Sequence, residues 1–316
     1  MKVRSSLFVV AVAAFAGSAC NDSKLVNGAS CPSHPTTSAV SSAVQSTPAT
    51  RVPRPSVGSF HVSGQPNAAS ADAVPATAQQ LLDAMDVPSN AQVSNASLRD
   101  VPTQAAAFAG LGALVPTQGA SFAFISTGVA GSGSSKALDP MAFLAQPGED
   151  LGAPGCSQDP NSHDCAQLQF SFVAPAGAHS FAFDFNFMST EYPEFVNQGY
   201  NDTFLVSEAS TSHNFDNIVF DHQHHQINID NAFFNQPCTQ LTGTGYEITQ
   251  LDGTCDAGGT GMLTTQSPIE PGETVTLTFT IFDSGDGIYD SAVMIDNFRF
   301  DNGTVDNPNT DPCSGS

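Results

Sequence analysis

Residues 76–302 read as a mainly β domain: an antiparallel β-sandwich, jelly-roll-like, with one or two short N-terminal helices. Three observations predict it. Phe181, Phe183, Phe185 and Phe187 alternate with Ala182, Asp184, Asn186 and Met188, the period of two that sorts side chains onto opposite faces of a strand. Val275, Leu277, Phe279 and Ile281 alternate with Thr276, Thr278 and Thr280 in the same way. Further strand-like runs at 203–207, 227–229 and 292–300 are separated by clusters of Gly, Pro, Asn and Asp, the punctuation of a many-stranded fold.

The helices are expected ahead of the strands. Thr77 is placed to cap a segment that carries Leu81, Leu82 and Met85 on one face, and 105–113 predicts a second, weaker helix. With Trp absent and 23 Phe present, the core must be built on phenylalanine and aliphatic residues.

Around this domain the chain divides into three further parts. Lys2 and Arg4 precede an apolar run at 7–16, which is short for a bilayer span, and Gly17, Ser18 and Ala19 stand before Cys20. Residues 1–19 therefore read as a lipoprotein signal peptide with Cys20 as the lipidated residue, although Gly17 sits where such signals usually carry Leu. An ordinary secretory signal cut near Ala19 is the alternative. Residues 20–75, rich in Ser, Thr, Pro, Ala and Val, cannot bury enough apolar surface to offset ordering entropy and are expected to form a flexible stalk. Residues 303–316 read as a loop-like tail that Cys313 can pin.

Seven cysteines leave six once Cys20 is lipidated. In an oxidising compartment these suit disulfides, and proximity suggests Cys156–Cys165, Cys238–Cys255 and Cys31–Cys313, with connectivity left open. Beyond the leader the chain keeps all 30 acidic residues and six of its eight basic ones, a net charge of about −24. That charge argues against nucleic acid or an anionic membrane surface as a partner, and it suits a surface that gathers divalent cations.

Three stretches carry chemistry. The first is 189–195 (STEYPEF) followed by 200–204 (YNDTF). The second is 283–292 (DSGDGIYDSA), leading into 295–298 (IDNF). The third is 124–130 (FISTGVA) with 148–151 (GEDL). In this order they resemble the choice-of-anchor L domain family of bacterial surface proteins, over roughly residues 78–302. The resemblance implies a displayed module whose surface anchor is, here, the N-terminal lipid. The acidic pair in 148–151 is looser than the family's usual form.

The residues themselves point toward calcium, which takes six to eight oxygen ligands. Asp283, Asp286 and Asp290 share a Gly-containing loop where three carboxylates would repel unless a cation joined them. Asp296 and Asn297 are placed to close the same site, with plain loop and turn hydrogen bonds of these Asp and Asn residues as the alternative. An EF-hand is excluded, because Ile288 and Met294 stand where its Gly and closing Glu belong. Glu191, Glu194, Asn201 and Asp202 form a second acidic motif, read as loop bracing or further ligands, with a glutamate pair for glycan hydrolysis as the alternative. His222 and His224, at strand spacing with His213 nearby, offer a weak transition-metal site or a solvated face. No nucleophile or metal-hydrolase motif appears. The expected function is a non-enzymatic binding or adhesion module, calcium-stabilised and lipid-anchored in the cell envelope at the outer membrane or cell surface. Its expected partner is an extracellular polymer or a surface protein. A glycan hydrolase and a purely structural envelope protein are the competing readings.

Overall fold

The alternating stretches become strands, and their pairing stacks them in two antiparallel sheets. A computed structural model describes residues 76–99, 103–130, 155–156, 159–249 and 255–313, with backbone alone at 248–249 and 255–256. The signal segment, Cys20, the stalk, Cys31 and the 148–151 stretch lie outside the described residues.

In chain order the strands are β1 (Ser94–Arg99), β2 (Ala105–Phe108), β3 (Phe122–Ser126), β4 (Ser162–Val173), β5 (Ser180–Ser189), β6 (Thr203–Ala209), β7 (Asn214–Phe215) and β8 (Ile227–Asn228). There follow β9 (Gln236–Pro237), β10 (Ile248–Thr249), β11 (Cys255–Asp256), β12 (Gly258–Gly259), β13 (Leu263–Pro268), β14 (Thr274–Ser284), β15 (Ser291–Asp301) and β16 (Asn309–Pro312). One sheet runs β1-β4-β14-β6-β7, with β8 also on β6; the other runs β16-β13-β5-β15-β3-β2, with β12 and β9 added at the end of β5. From β3 to β6 and again from β13 to β15 the chain changes sheet at every strand. That nesting is the jelly-roll arrangement the sequence suggests.

Thr77 caps α1 (Ala78–Ala84) with a full capping box: its hydroxyl accepts from the Gln80 amide, and the Gln80 side chain accepts from the Thr77 amide. Leu81, Leu82 and Met85 are fully buried, so the apolar face packs as its spacing predicts. The second helix does not form. Residues 105–108 are instead β2, paired to β3 from Ala105↔Ile125 to Phe108↔Phe122. Ala106 and Phe108 enter a core there, and that packing outweighs the helix preference of an alanine run. The tail also departs from expectation, because 309–312 is a strand on β13, in register from Leu263↔Pro312 to Gln266↔Asn309.

The main core lies between the sheets. Phe170, Phe172, Phe204 and Phe279 of one sheet meet Phe181, Phe183, Phe185 and Phe298 of the other, all buried. A second core covers the outer face of β5, β15 and β3, where Met188, Met294, Phe122 and Phe124 meet Leu241 and Tyr246 from the long β9–β12 excursion. Every residue of β5 is therefore buried, on both faces. Cys156–Cys165 forms the expected disulfide. Cys238 and Cys313 are disulfide-bonded as well, to partners outside the described side chains. Among the described residues no helix is long and apolar enough to cross a membrane.

One charged group crosses the inter-sheet core. Glu208 on β6 is fully buried and accepts a hydrogen bond from the Ser267 hydroxyl on β13, while its other oxygen, Oε1, has no partner. Burial pushes its carboxyl up to about 7, the Ser267 bond opposing this in part. The folded protein thus holds a proton that the unfolded chain releases from about pH 4.5, so this group's ionisation erodes stability as pH rises toward 7 and beyond. Glu208→Gln is expected to raise the melting midpoint at pH 8 by several degrees, at about 2–4 °C per kcal/mol, and to leave it nearly unchanged at pH 4.5. Melting curves across that range check it; an equal shift at both pH values would contradict it.

Candidate functional site at one end of the sandwich

The loop joining β5 to β6 and the loop joining β14 to β15 both pass between the sheets at the same end of the sandwich. Ser189 at the end of β5 pairs with Ser291 at the start of β15, and Thr203 at the start of β6 pairs with Phe282 near the end of β14. The two acidic motifs, 81 residues apart between Asp202 and Asp283 and 99 between Glu191 and Asp290, are thereby brought face to face. The third motif joins them from β3, whose Ser126 pairs with Ala292.

The result is a buried group of carboxylates. Asp202 is fully buried, and Asp283, Glu191 and Asp290 are 1%, 3% and 3% exposed. Asp202 is the best satisfied: Oδ1 accepts from the Ser284 amide at 3.1 Å and Oδ2 from the Ser291 hydroxyl at 2.6 Å. Asp283 contrasts with it, since neither of its oxygens has a hydrogen bond of normal geometry. Glu191 Oε2 and Asn201 Oδ1 are buried without a partner too. Among the described residues the only Lys or Arg are Arg99 and Arg299, which bond to Gln167 and to Asp184.

Such a group cannot hold all its charges unaided. Burial raises the Asp202 carboxyl to about 7, with hydrogen bonds from Ser291 and Ser284 opposing the shift. Burial likewise pushes Asp283 well above the carboxylate range, reinforced by the charges of Asp202 and Asp290. Glu191 is driven up by burial and then by Asp202, with Asp286 contributing from the rim. The arrangement either keeps protons at neutral pH or takes up a cation.

The surrounding shell is polar and fitted. The Thr127 hydroxyl accepts from the Ser291 amide at 2.9 Å, and the Thr190 amide and hydroxyl both donate to the Asp290 carbonyl. Ser126 Oγ lies 2.5 Å from the Tyr246 hydroxyl, and burial together with the Asp290 and Asp283 charges pushes that phenol's pKa upward. Gly128 in the STG run is required, because any side chain there would occupy the space of the Asp290 carboxylate. Over the cluster, Phe195 contacts Tyr200 and Tyr289 with ring centroids 5.3 Å apart in each pair, tying the two loops together. Tyr192 packs on Phe234 and against Gly258, so all four tyrosines of the chain stand at this end.

The predicted site residues therefore divide. Asp283, Asp290, Glu191 and Asp202 come together, with Asp286 and Asn201 beside them. Glu194 sits half-buried on the same loop, its carbonyl accepting from the Gln198 side chain. Asp296 and Asn297 do not join them. Asp296 lies five residues along β15 from Ser291, about 17 Å away by strand rise, and its carboxylate accepts from the Thr117 amide and hydroxyl and the Gln118 amide. Burial nevertheless raises its carboxyl to about 6. Asn297 occupies a β-bulge at φ 52° and donates to Asp184 Oδ2 at 2.8 Å. His222 and His224 lie in a turn rather than a strand, with His224 at φ 63°, so the shared strand face does not exist. His213 instead stacks on Phe215. Sequence reasoning gave no role in the site to Ser126, Thr127, Ser291 or Tyr246; the 124–130 run was the signal toward the first two, and the 283–292 stretch contains the third.

As they stand, no three His, Cys, Asp or Glu side chains among the described residues are arranged to hold a metal ion. The donor set nonetheless fits a hard cation, being all oxygen, buried and partly without hydrogen bonds. In chelator-treated protein, the raised Asp202 pKa makes stability fall as pH rises from about 4 through 7, since the folded state alone retains that proton. Asp202→Asn keeps an acceptor for the Ser284 amide and is expected to raise the metal-free midpoint at pH 8 by several degrees while flattening its pH dependence. Chelator-treated melting curves of the variant from pH 4 to 8 check this, and a destabilised variant at pH 8 would oppose it.

No curated protein matches the chain. The family model of the Choice-of-anchor L domain does, over residues 70–301, which takes in the whole sandwich up to the end of β15 and all three motifs that meet at its end. The chain belongs to that family and is, with it, a bacterial surface-associated protein.

Proposed function

We propose that the protein is a non-enzymatic binding module held on the bacterial surface by a lipid on Cys20, its ectodomain stabilised by calcium at the Glu191, Asp202, Asp283 and Asp290 cluster. The observation that carries the calcium reading is Asp283: both oxygens are buried and lack hydrogen bonds of normal geometry, beside two further carboxylates raised by burial. Burying an ionised carboxylate costs several kcal/mol unless it is paired, and a divalent cation supplies the missing charge. Asn201 Oδ1 and Asp286 stand ready as further oxygen ligands. A cation there would tie the β5–β6 loop to the β14–β15 loop, and through them one sheet to the other.

Burial also favours binding over catalysis. A glycosidase pair must face a sugar cleft from opposite sides, whereas Glu191 is turned inward against Asp202. The lipid anchor is supported by the small residues before Cys20 and by the odd number of cysteines in the chain. The partner of the displayed module is an extracellular polymer or a surface protein, the net charge disfavouring nucleic acid.

Millimolar calcium is expected to raise the melting midpoint, and chelation to lower it, because a ligand of the native state stabilises that state. The shift should be larger at pH 8 than at pH 5, since protons compete for the same oxygens. Asp283→Asn should abolish the shift and Asp286→Asn reduce it. With no Trp in the chain, tyrosine fluorescence gives the same titration a second readout. An unchanged midpoint after verified metal removal would reject calcium. For the anchor, metabolic labelling with a radioactive fatty acid is expected to mark the wild-type protein and not Cys20→Ser; equal labelling of both would place the lipid elsewhere.

A further inference from the structure

Where the free edges of the two sheets meet, there is a second concave feature, lined by none of the acidic-cluster residues. A cleft of ≈ 620 Å³ opens between β7, the turn after Phe220 and the segment entering β16. Phe215 and Phe220 form apolar walls, the His224 ring lies 4.7 Å from that of Phe220, and Asn307 and Asn309 face them with amides. Its volume falls within the range of small-ligand sites.

The wall is preorganised. Asp221, 2% exposed, accepts from the amides of Gln223 and His225 at 2.8 and 2.9 Å, and its carbonyl accepts from the His224 amide at 2.8 Å. These bonds hold His224 at a positive φ that histidine adopts only with support. His222 fixes the turn to β16 through Asp311 at 2.7 Å.

Charge then selects the ligand. Asp221 lines the cleft; Asp216 adjoins Phe215 in sequence, Asp306 adjoins Asn307, and Asp311 follows Thr310, another lining residue. Neither 203–249 nor 300–313 contains a Lys or Arg. Aromatic faces attract cations, a negative field concentrates them, and both repel anions. Phe walls also lack the hydroxyl or indole N–H that Tyr or Trp would offer a sugar. We infer that this cleft is a binding site for a cationic side chain, alkylammonium or guanidinium, carried on a basic segment of a partner protein. The inference rests on the binding-module reading and gives it a place and a ligand class.

The test uses the full chain in detergent with fluorescently labelled hexalysine, followed by anisotropy at moderate salt. Hexalysine is expected to bind, and the same peptide acetylated on each Nε to bind about tenfold more weakly or less. Phe220→Leu keeps apolar bulk but loses the ring, and should weaken hexalysine by about tenfold with an unchanged melting midpoint. Asn309→Ala, on the exposed opposite wall, provides a second variant should Phe220→Leu fold poorly, and should also weaken binding. Asp83→Asn, on the exposed face of α1 and outside both sites, should leave it intact. Equal binding of the acetylated peptide, undiminished binding to both cleft variants, or no binding of hexalysine would each overturn the inference. So would a neutral oligosaccharide that binds through Phe220 while hexalysine does not. Fatty-acid labelling at Cys20 and the calcium shift do not involve this cleft, so its failure leaves the surface-module reading standing.

Discussion

The contact between two phenylalanine-lined sheet faces is the interaction on which everything else in this protein rests. Phe279 stacks on Phe170 within its own sheet and meets Phe183 of the other edge-on, with centroids 5.0 Å apart. Phe298 likewise joins Phe170 and Phe172 to Phe181 across the gap. Each buried ring contributes about 1.5–3 kcal/mol by burial alone. A chain with no Trp, and with polar segments for much of its length, has little else of that size. The ring network fixes the spacing and relative slide of the sheets, and thus decides which loop ends meet.

What meets at one end is a set of like charges. Hydrophobic packing forces Asp202, Asp283, Glu191 and Asp290 into a space where their repulsion and desolvation oppose folding, and the core provides the surplus that tolerates them. Their neighbours are hydroxyls and amides from β14, from β15 and from the segment just after β3, so the group is held in place rather than merely crowded. Unlike Asp184, whose carboxylate is matched by Arg299, Asn297 and Thr264, Asp283 has both oxygens buried without a hydrogen bond of normal geometry. The contrast between two buried acids in one fold, Asp184 matched by the protein's own groups and Asp283 not, sets that end of the sandwich apart as the candidate site.

Local signals were legible where they were periodic. The Phe alternation of 181–187 and the Val/Leu/Phe/Ile alternation of 275–281 became β5 and β14, and the Thr77 cap formed as read. The reading failed at 105–108, where alanine's helix preference lost to pairing with β3, and at 309–312, where a polar tail was recruited as an edge strand. Alternation also suggested a single apolar face for β5. Asp184 and Asn186 on the other face are buried only because distant segments fold over them. No local pattern announces a cover supplied by residues 50 or more positions away.

For the site, composition and local motifs set the inventory: acidic residues in three motifs, too few basic residues to neutralise them, and a family pattern that points to surface display. It also determined which residues alternate and so which can face a core, because strand geometry is local. Who meets whom came from the packing of the two sheets. The sheet pairing merged two motifs read as separate and drew in Ser126, Thr127 and Tyr246. A bulge at Asn297 keeps Phe298 in the core and leaves Asp296 about 17 Å from the cluster it was expected to complete. Convergence of that kind is set by sheet register and by the fit of rings across a core, which are properties of the whole chain rather than of any stretch of it.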